Sequence, residues 1–89
     1  MQKTLQLFIG SNNTTRKVEV NKLKTVLDKY HDGWTMQNAI GSWLGIEEQS
    51  VTVIINDELS TIKNTMLVLK QVLKQDAIAY HEVTPLEFI

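Results

Sequence analysis

The polar segment from Gly10 to Lys17 carries the side chains of this sequence that are best suited to bind an anion. It reads Gly-Ser-Asn-Asn-Thr-Thr-Arg-Lys and combines hydroxyls, side-chain amides and two cations. Backbone amides and a guanidinium can converge on one phosphate or carboxylate. The same residue types also build ordinary solvated turns, so a plain loop is the alternative. The candidate ligand contacts in this segment are Ser11, Asn12, Asn13, Thr14 and Arg16.

Few residues of this sequence are candidates for metal binding or for acid–base catalysis. His31 and His81 are the two histidines, and neither has a partner at a spacing typical of a metal site. The sequence has no cysteine, which excludes disulfides and thiolate ligands. Adjacent Glu47 and Glu48 are expected to be solvated rather than to act as a catalytic pair. We therefore expect no metal, no cofactor and no enzymatic activity.

Length and charge restrict the classes of function. With 89 residues, 43% of them apolar and 21% charged, residues 1–89 are expected to form one folded domain. A formal net charge of -1 provides no field that concentrates a polyanion, so nucleic-acid binding is not expected. No apolar run approaches the roughly 20 residues of a membrane span, and the N-terminus does not resemble a signal peptide. The expected location is the cytoplasm.

Hydrophobic periodicity divides the chain into six elements. Alternating apolar residues predict a strand at 3–10, and helical spacing from Val20 predicts an amphipathic helix that stops at Asp32-Gly33. Strands are predicted at 34–44 and, after a short connection at 46–49, at 50–56. A helix capped by Asp57 or Ser60 and a last strand at 77–83 complete the chain.

This order defines a fold class. Two split βαβ units with right-handed crossovers place the first and third strands at the centre of a four-stranded antiparallel sheet. Both helices then cover one face. The predicted architecture is the α+β ferredoxin-like fold.

The second strand has apolar side chains on both faces. Trp34, Met36 and Ile40 alternate on one side, while Ala39 and Trp43 lie on the other. We expect the helices to cover the side of the sheet that bears Leu5, Leu7, Ile9, Val51, Val53 and Ile55. The opposite side, which we call the open face, is then left without a helix.

The open face is predicted to carry Phe8, Ile54, one set of side chains from the second strand, and Tyr80. A contiguous exposed apolar patch is typical of an interaction site. We predict that this face joins two copies in a homodimer. The alternatives are another protein or a ligand, or cover by the C-terminal segment 85–89 of the same chain.

Arg16 after the first strand and Asn38 on the second resemble the arrangement of the acylphosphatase family, which has the same architecture. The resemblance implies a small phosphate substrate with Arg16 and Asn38 as catalytic residues. The family's phosphate loop with its Val-Gln-Gly-Val core is absent, and Ser-Asn-Asn-Thr-Thr stands in its place. The match is therefore one of topology rather than motif.

Four short motifs, Leu7-Phe8-Ile9-Gly10, Asp32-Gly33-Trp34-Thr35, Ala39-Ile40-Gly41-Ser42-Trp43 and Glu48-Gln49-Ser50-Val51, resemble small uncharacterised single-domain proteins carried by phages and prophages. The resemblance implies a stoichiometric protein that acts on a host protein or sequesters a nucleotide signal. Small residues beside Trp43 either form a shallow slot for an aromatic base or let a helix pack closely.

The sequence therefore predicts a non-catalytic binding protein that forms a homodimer. Its ligand is expected to be a host protein or a small anionic, nucleotide-like molecule, held by the segment from Ser11 to Arg16 and by Trp43 or Trp34. The identity of the ligand and the geometry of the dimer stay open.

Overall fold

A computed structural model describes residues 1–12, 15–84, 87 and 89. The elements are β1 (Gln2–Gly10), α1 (Val20–Tyr30), β2 (Thr35–Trp43), β3 (Ile46–Glu58), α2 (Leu59–Val72) and β4 (Ala79–Glu82). Their order is the one that the periodicity predicts. Helix α1 ends just before the predicted stop at Asp32-Gly33, and neither predicted cap, Asp57 or Ser60, occupies the N-cap of α2. His31 occupies the C-cap of α1 in an extended conformation, and Glu58 occupies the N-cap of α2 without a side-chain hydrogen bond.

The sheet has the strand order β2-β3-β1-β4, and all neighbouring strands are antiparallel. The first and third strands are central, so the ferredoxin-like prediction is confirmed. Helix α1 follows β1 and α2 follows β3, which places both crossovers on the same side of the sheet.

The core lies between the two helices and one face of the sheet. On β1 and β3 the buried apolar side chains occur at every second residue, and on the helices they recur at three- and four-residue intervals. The central members are Leu5, Leu7, Ile9, Val51, Val53, Ile55, Leu23, Leu27, Ile62 and Leu69, all at most 2% exposed. The prediction for the covered face is therefore confirmed.

The connection between β2 and β3 differs from the predicted one. Residues 46–49 belong to β3, and the turn consists of Leu44 and Gly45, with φ angles of +53° and +79°. Positive φ at both central residues is the type I′ geometry, whose twist matches that of the flanking strands. The usual Asn-Gly signal of this turn is missing, so the sequence pattern placed the turn too late.

This hairpin extends beyond the rest of the sheet. Strand β1 ends at Gly10, opposite Ser50, whereas β2 and β3 stay paired from Ala39 opposite Ser50 to Trp43 opposite Ile46. We call the segment 40–49 the hairpin arm; within the described part of the chain, no third strand pairs with it. Its apolar side chains are exposed: Ile40 76%, Trp43 73%, Leu44 85% and Ile46 58%.

The prediction that Tyr80 lies on the open face is wrong. Tyr80 pairs with Leu7, so its side chain lies on the helix side of the sheet. His81 pairs with Gln6 and occupies the open face instead. A shift of the pairing register by one residue moves every side chain of a strand to the other face, and the prediction for Tyr80 was wrong by such a shift.

Candidate ligand-binding site

The segment between β1 and α1 forms a turn closed by Asn12. The Arg16 amide donates to the carbonyl oxygen of Asn12 at 2.7 Å, and the Asn12 amide donates to the carbonyl of Lys17 at 3.0 Å. The Asn12 side chain accepts from the Thr15 amide at 3.2 Å. Arg16 has a φ of +57°. The candidates Asn13 and Thr14 lie outside the described residues.

Hydrogen bonds join this turn to Glu19, at the start of α1, and to the hairpin arm. The Asn12 side-chain amide donates to Glu19 Oε1 at 3.3 Å. The Val18 amide donates to Gln49 Oε1 at 3.3 Å, and Ser11 Oγ donates to Glu48 Oε2 at 3.4 Å. Ser11 itself is buried. These contacts join the candidate segment to a part of β3 that is distant in sequence.

A cavity of about 210 Å³ lies at this junction. We call it the loop–hairpin cavity; it is lined by Ser11, Asn12, Arg16, Ile46, Glu47, Glu48 and Gln49. Three of the predicted ligand contacts, Ser11, Asn12 and Arg16, therefore share one cavity. The sequence pattern does not indicate the contribution of residues 46–49, because it predicts a solvated connection where the structure has a strand.

The charges in the cavity are mixed. Arg16 contributes a guanidinium, whereas Glu47 and Glu48 contribute two carboxylates. A simple anion would be attracted by the first and repelled by the other two. The lining therefore suits a ligand that carries both an anionic group and hydrogen-bond donors.

The neighbouring carboxylate of Glu19 is already paired. Lys22 Nζ lies 2.6 Å from Glu19 Oε2. The hydrogen bond from Lys22 lowers the pKa of Glu19, and burial opposes that shift without reversing it. Glu19 therefore accepts the Asn12 hydrogen bond as a carboxylate whose negative charge is balanced by Lys22. It adds little net charge beside the cavity.

Trp34 does not lie at the loop–hairpin cavity. Its indole Nε1 donates to Asp28 Oδ1 at 2.9 Å, and the ring packs against the core on the helix side of the sheet. It lines a different cavity together with Val20, Lys24, Met36 and Asn38. Trp34 and the Ser11–Arg16 segment therefore do not line the same cavity.

Trp43 lies near the loop–hairpin cavity without lining it. Trp43 pairs with Ile46, and Ile46 is one of the residues that line the cavity. Gly41 and Ala39 share its face of β2, opposite Glu48 and Ser50. Because both helices cover the other face, close helix packing does not explain these two small residues.

The acylphosphatase-like pair is not assembled in one cavity. Arg16 lines the loop–hairpin cavity, whereas Asn38 lines two others. The histidines are also separate from the site. His31 is buried between Asp57 and Thr65, and His81 stacks on Phe8 with ring centroids 5.5 Å apart. Within the described ranges, no three His, Cys, Asp or Glu residues gather at a spacing that could hold a metal ion.

The open face combines polar and apolar side chains. Phe8 is 40% exposed, Ile54 is half-buried, and Trp43 and Ile46 extend the apolar surface onto the hairpin arm. The polar residues between them include Gln6, Thr52 and Gln37. No helix among the described residues is long and apolar enough to cross a membrane.

The chain matches no protein-family model and no curated protein sequence. Its fold is similar to that of several solved structures. A DUF3240 family protein from Shewanella baltica is 14% identical, with 97% of this chain and 92% of that chain covered and a TM-score of 0.64. The divalent cation tolerance protein CutA1 from Thermus thermophilus is 12% identical, with coverages of 100% and 88% and a TM-score of 0.61.

A third similar structure is CPII, a nitrogen regulatory PII-like protein from Thiomonas intermedia, bound to ADP, AMP and bicarbonate. It is 10% identical, with 100% of this chain and 98% of that chain covered and a TM-score of 0.65. At these identities the likeness establishes a shared ferredoxin-like fold and no family membership.

Proposed function

We propose that this chain is a non-catalytic binding protein that holds a small nucleotide-like anion in the loop–hairpin cavity. The observation that carries the proposal is the convergence of Ser11, Asn12 and Arg16 with residues 46–49 in one cavity. The carboxylates of that cavity require a ligand with donors as well as an anionic group.

A nucleotide has this combination of groups. Its phosphate can accept from the Arg16 guanidinium, which forms strong charge-assisted hydrogen bonds. The exocyclic amine and the hydroxyls of a nucleoside can donate to Glu47 or Glu48. Ile46 and the neighbouring Trp43 offer an apolar surface for a base.

The structural likeness to CPII favours particular first ligands. That protein is bound to ADP, AMP and bicarbonate, and it covers the whole of the present chain. At 10% identity this is an argument from fold alone. It selects AMP and ADP as the first ligands to measure, and the binding itself rests on that measurement.

Calorimetric titration with AMP and ADP tests the proposal. We expect saturable binding that Arg16→Gln weakens by about ten-fold, because a charge-assisted hydrogen bond is lost. Lys29→Gln, which removes one positive charge from α1, is the matched control and should leave the affinity unchanged. Equal affinity in wild type and Arg16→Gln, or no binding at all, would contradict the proposal.

The same samples distinguish binding from catalysis. Nucleotide recovered unchanged after prolonged incubation supports a binding protein. Hydrolysis of an acyl phosphate or a nucleotide that is lost in Arg16→Gln and in Asn38→Ala would instead support the acylphosphatase-like alternative. Since Arg16 and Asn38 line different cavities, we expect no such activity.

We further propose that two copies associate through the open face and the hairpin arm. The support is the exposure of Trp43, Leu44 and Ile46 beside the partly exposed Phe8. A stoichiometric complex with another protein, such as the host protein suggested by the phage resemblance, is the alternative use of this surface.

A further inference from the structure

A second cavity, of about 350 Å³, lies on the helix side of the sheet between α2 and β4. We call it the α2–β4 groove; it is lined by Lys63, Met66, Leu67, Lys70, Ala77, Ile78 and Tyr80. None of the candidate ligand residues discussed above belongs to it. Its volume is at the lower end of the range found for small-molecule sites.

The groove is formed because one strip of α2 faces the edge of the sheet. Residues 63, 66, 67 and 70 recur at intervals of three and four, so they share one side of the helix. Tyr80 reaches the same space because its pairing with Leu7 places it on the helix side. Met66 and Ile78, which pack with the core, form the floor.

The charged groups of the groove are both cations. Lys63 and Lys70 are the only charged residues in its lining. Over residues 1–12, 15–84, 87 and 89, no carboxylate lies within ion-pair distance of either ammonium group. Leu67 and Tyr80 stay 62% and 45% exposed beside them. The two lysines are seven residues apart, which is about 10 Å along the helix axis.

We propose that the α2–β4 groove binds a medium-chain carboxylate, with the carboxylate on Lys63 or Lys70 and the alkyl chain along Met66, Leu67 and Ile78. An apolar floor between two unpaired cations is complementary to an anion with an apolar tail. A carboxylate would give either ammonium a charge-assisted hydrogen bond, and the tail would cover exposed apolar surface.

Octanoate is the probe for this proposal, and backbone amide chemical shifts are the readout. We expect saturable shifts at residues 63–70 and 77–80. Hexanoate should bind about five-fold more weakly, because two methylene groups fewer are partly buried. Octanol, which has the same chain and no charge, should also bind about five-fold more weakly than octanoate.

Variants separate the groove from a general effect of charge. The double variant Lys63→Gln, Lys70→Gln should weaken octanoate about five-fold. Lys24→Gln, Lys29→Gln, which removes the same net charge from α1, should not change the affinity. Leu67→Gln changes an exposed side chain and should weaken octanoate without affecting folding.

The proposal is overturned if octanol binds as tightly as octanoate, or if both double variants weaken octanoate equally. It is also overturned if octanoate causes no saturable shifts while the acidic peptide acetyl-Glu-Leu-Val-Glu-amide does, since the groove would then recognise a protein segment. These outcomes do not depend on nucleotide binding, because the loop–hairpin cavity shares no residue with the groove.

Discussion

His31 Nδ1 lies 2.8 Å from Asp57 Oδ2, and this contact joins the end of α1 to the end of β3, just before α2. On its other side, His31 Nε2 lies 2.8 Å from Thr65 Oγ1. The Thr65 hydroxyl donates its one proton to the Thr61 carbonyl at 2.9 Å. Because a carboxylate only accepts, Nδ1 donates to Asp57, and Nε2 shares a hydrogen bond with the Thr65 hydroxyl.

Replacing the hydroxyl of Thr65 tests this buried arrangement. We expect Thr65→Val to lower the free energy of unfolding by about 1 to 3 kcal/mol, because Nε2 is left buried without its hydrogen-bond partner. Thr65→Ser keeps the hydroxyl and is the control; it should lose less than about 1 kcal/mol. Urea denaturation at neutral pH measures both values. A loss in Thr65→Ser as large as that in Thr65→Val would show that the hydroxyl contributes no more than the methyl group and would contradict the prediction.

The Asp57 carboxylate should make stability depend on acid pH. The hydrogen bond from His31, followed by that from the Glu58 amide, lowers the pKa of Asp57 below its usual value of 3.8. Since the folded-state pKa is the lower one, the stabilisation is complete above the unfolded-state pKa and is lost as the pH falls through the folded-state pKa.

Asp57→Asn should accordingly be less stable than wild type above about pH 5, and the two should converge as the pH falls towards about 2. Denaturation curves over that pH range provide the comparison. Asp28→Asn, which removes an exposed carboxylate that accepts from Trp34, is a control for the change in net charge. A stability difference that stays constant down to the lowest pH would contradict the assigned cause.

The fold could be predicted from the sequence because its signals are local. Alternation in β1 and helical spacing in α1 specify the elements, and the βαββαβ order leaves few topologies. The turn at Leu44-Gly45 could not be predicted, because leucine at a positive φ gives no turn signal. The side of Tyr80 depends on a pairing register that no local pattern determines.

Three of the seven residues that line the loop–hairpin cavity could be predicted, because their signal is also local. Polar residues in a loop mark Ser11, Asn12 and Arg16 directly. Their partners Glu47, Glu48 and Gln49 come from a strand distant in sequence, and only the three-dimensional hairpin brings them to the loop. Trp34 was assigned to the site by residue type, but its indole is held on the helix side by Asp28.

Leu44 is expected to weaken the turn that it occupies. A side chain at a φ of +53° is strained, and asparagine tolerates this region better than leucine. Leu44→Asn should raise the free energy of unfolding of the monomer by about 0.5 to 1 kcal/mol. Leu44→Ala keeps the unfavourable backbone and should give no such gain. Denaturation at a concentration low enough to avoid self-association is the measurement, and an alanine variant as stable as the asparagine variant would contradict the argument.

Trp43 should be the residue on which self-association depends most strongly. It is 73% exposed, lies on the open face, and is flanked by Leu44 and by its pairing partner Ile46. A stable interface buries about 800 Å² on each partner, and large aromatic side chains contribute most to its energy. Sedimentation equilibrium of the wild type should therefore give a mass above the 10.2 kDa of one chain, and Trp43→Ser should reduce it to that value.

Leu67→Ser removes an exposed apolar side chain from α2 on the opposite side of the sheet and should leave the mass unchanged. A wild type that sediments as one chain at every concentration would exclude association through this face, whereas a loss of mass in both variants would place the interface elsewhere.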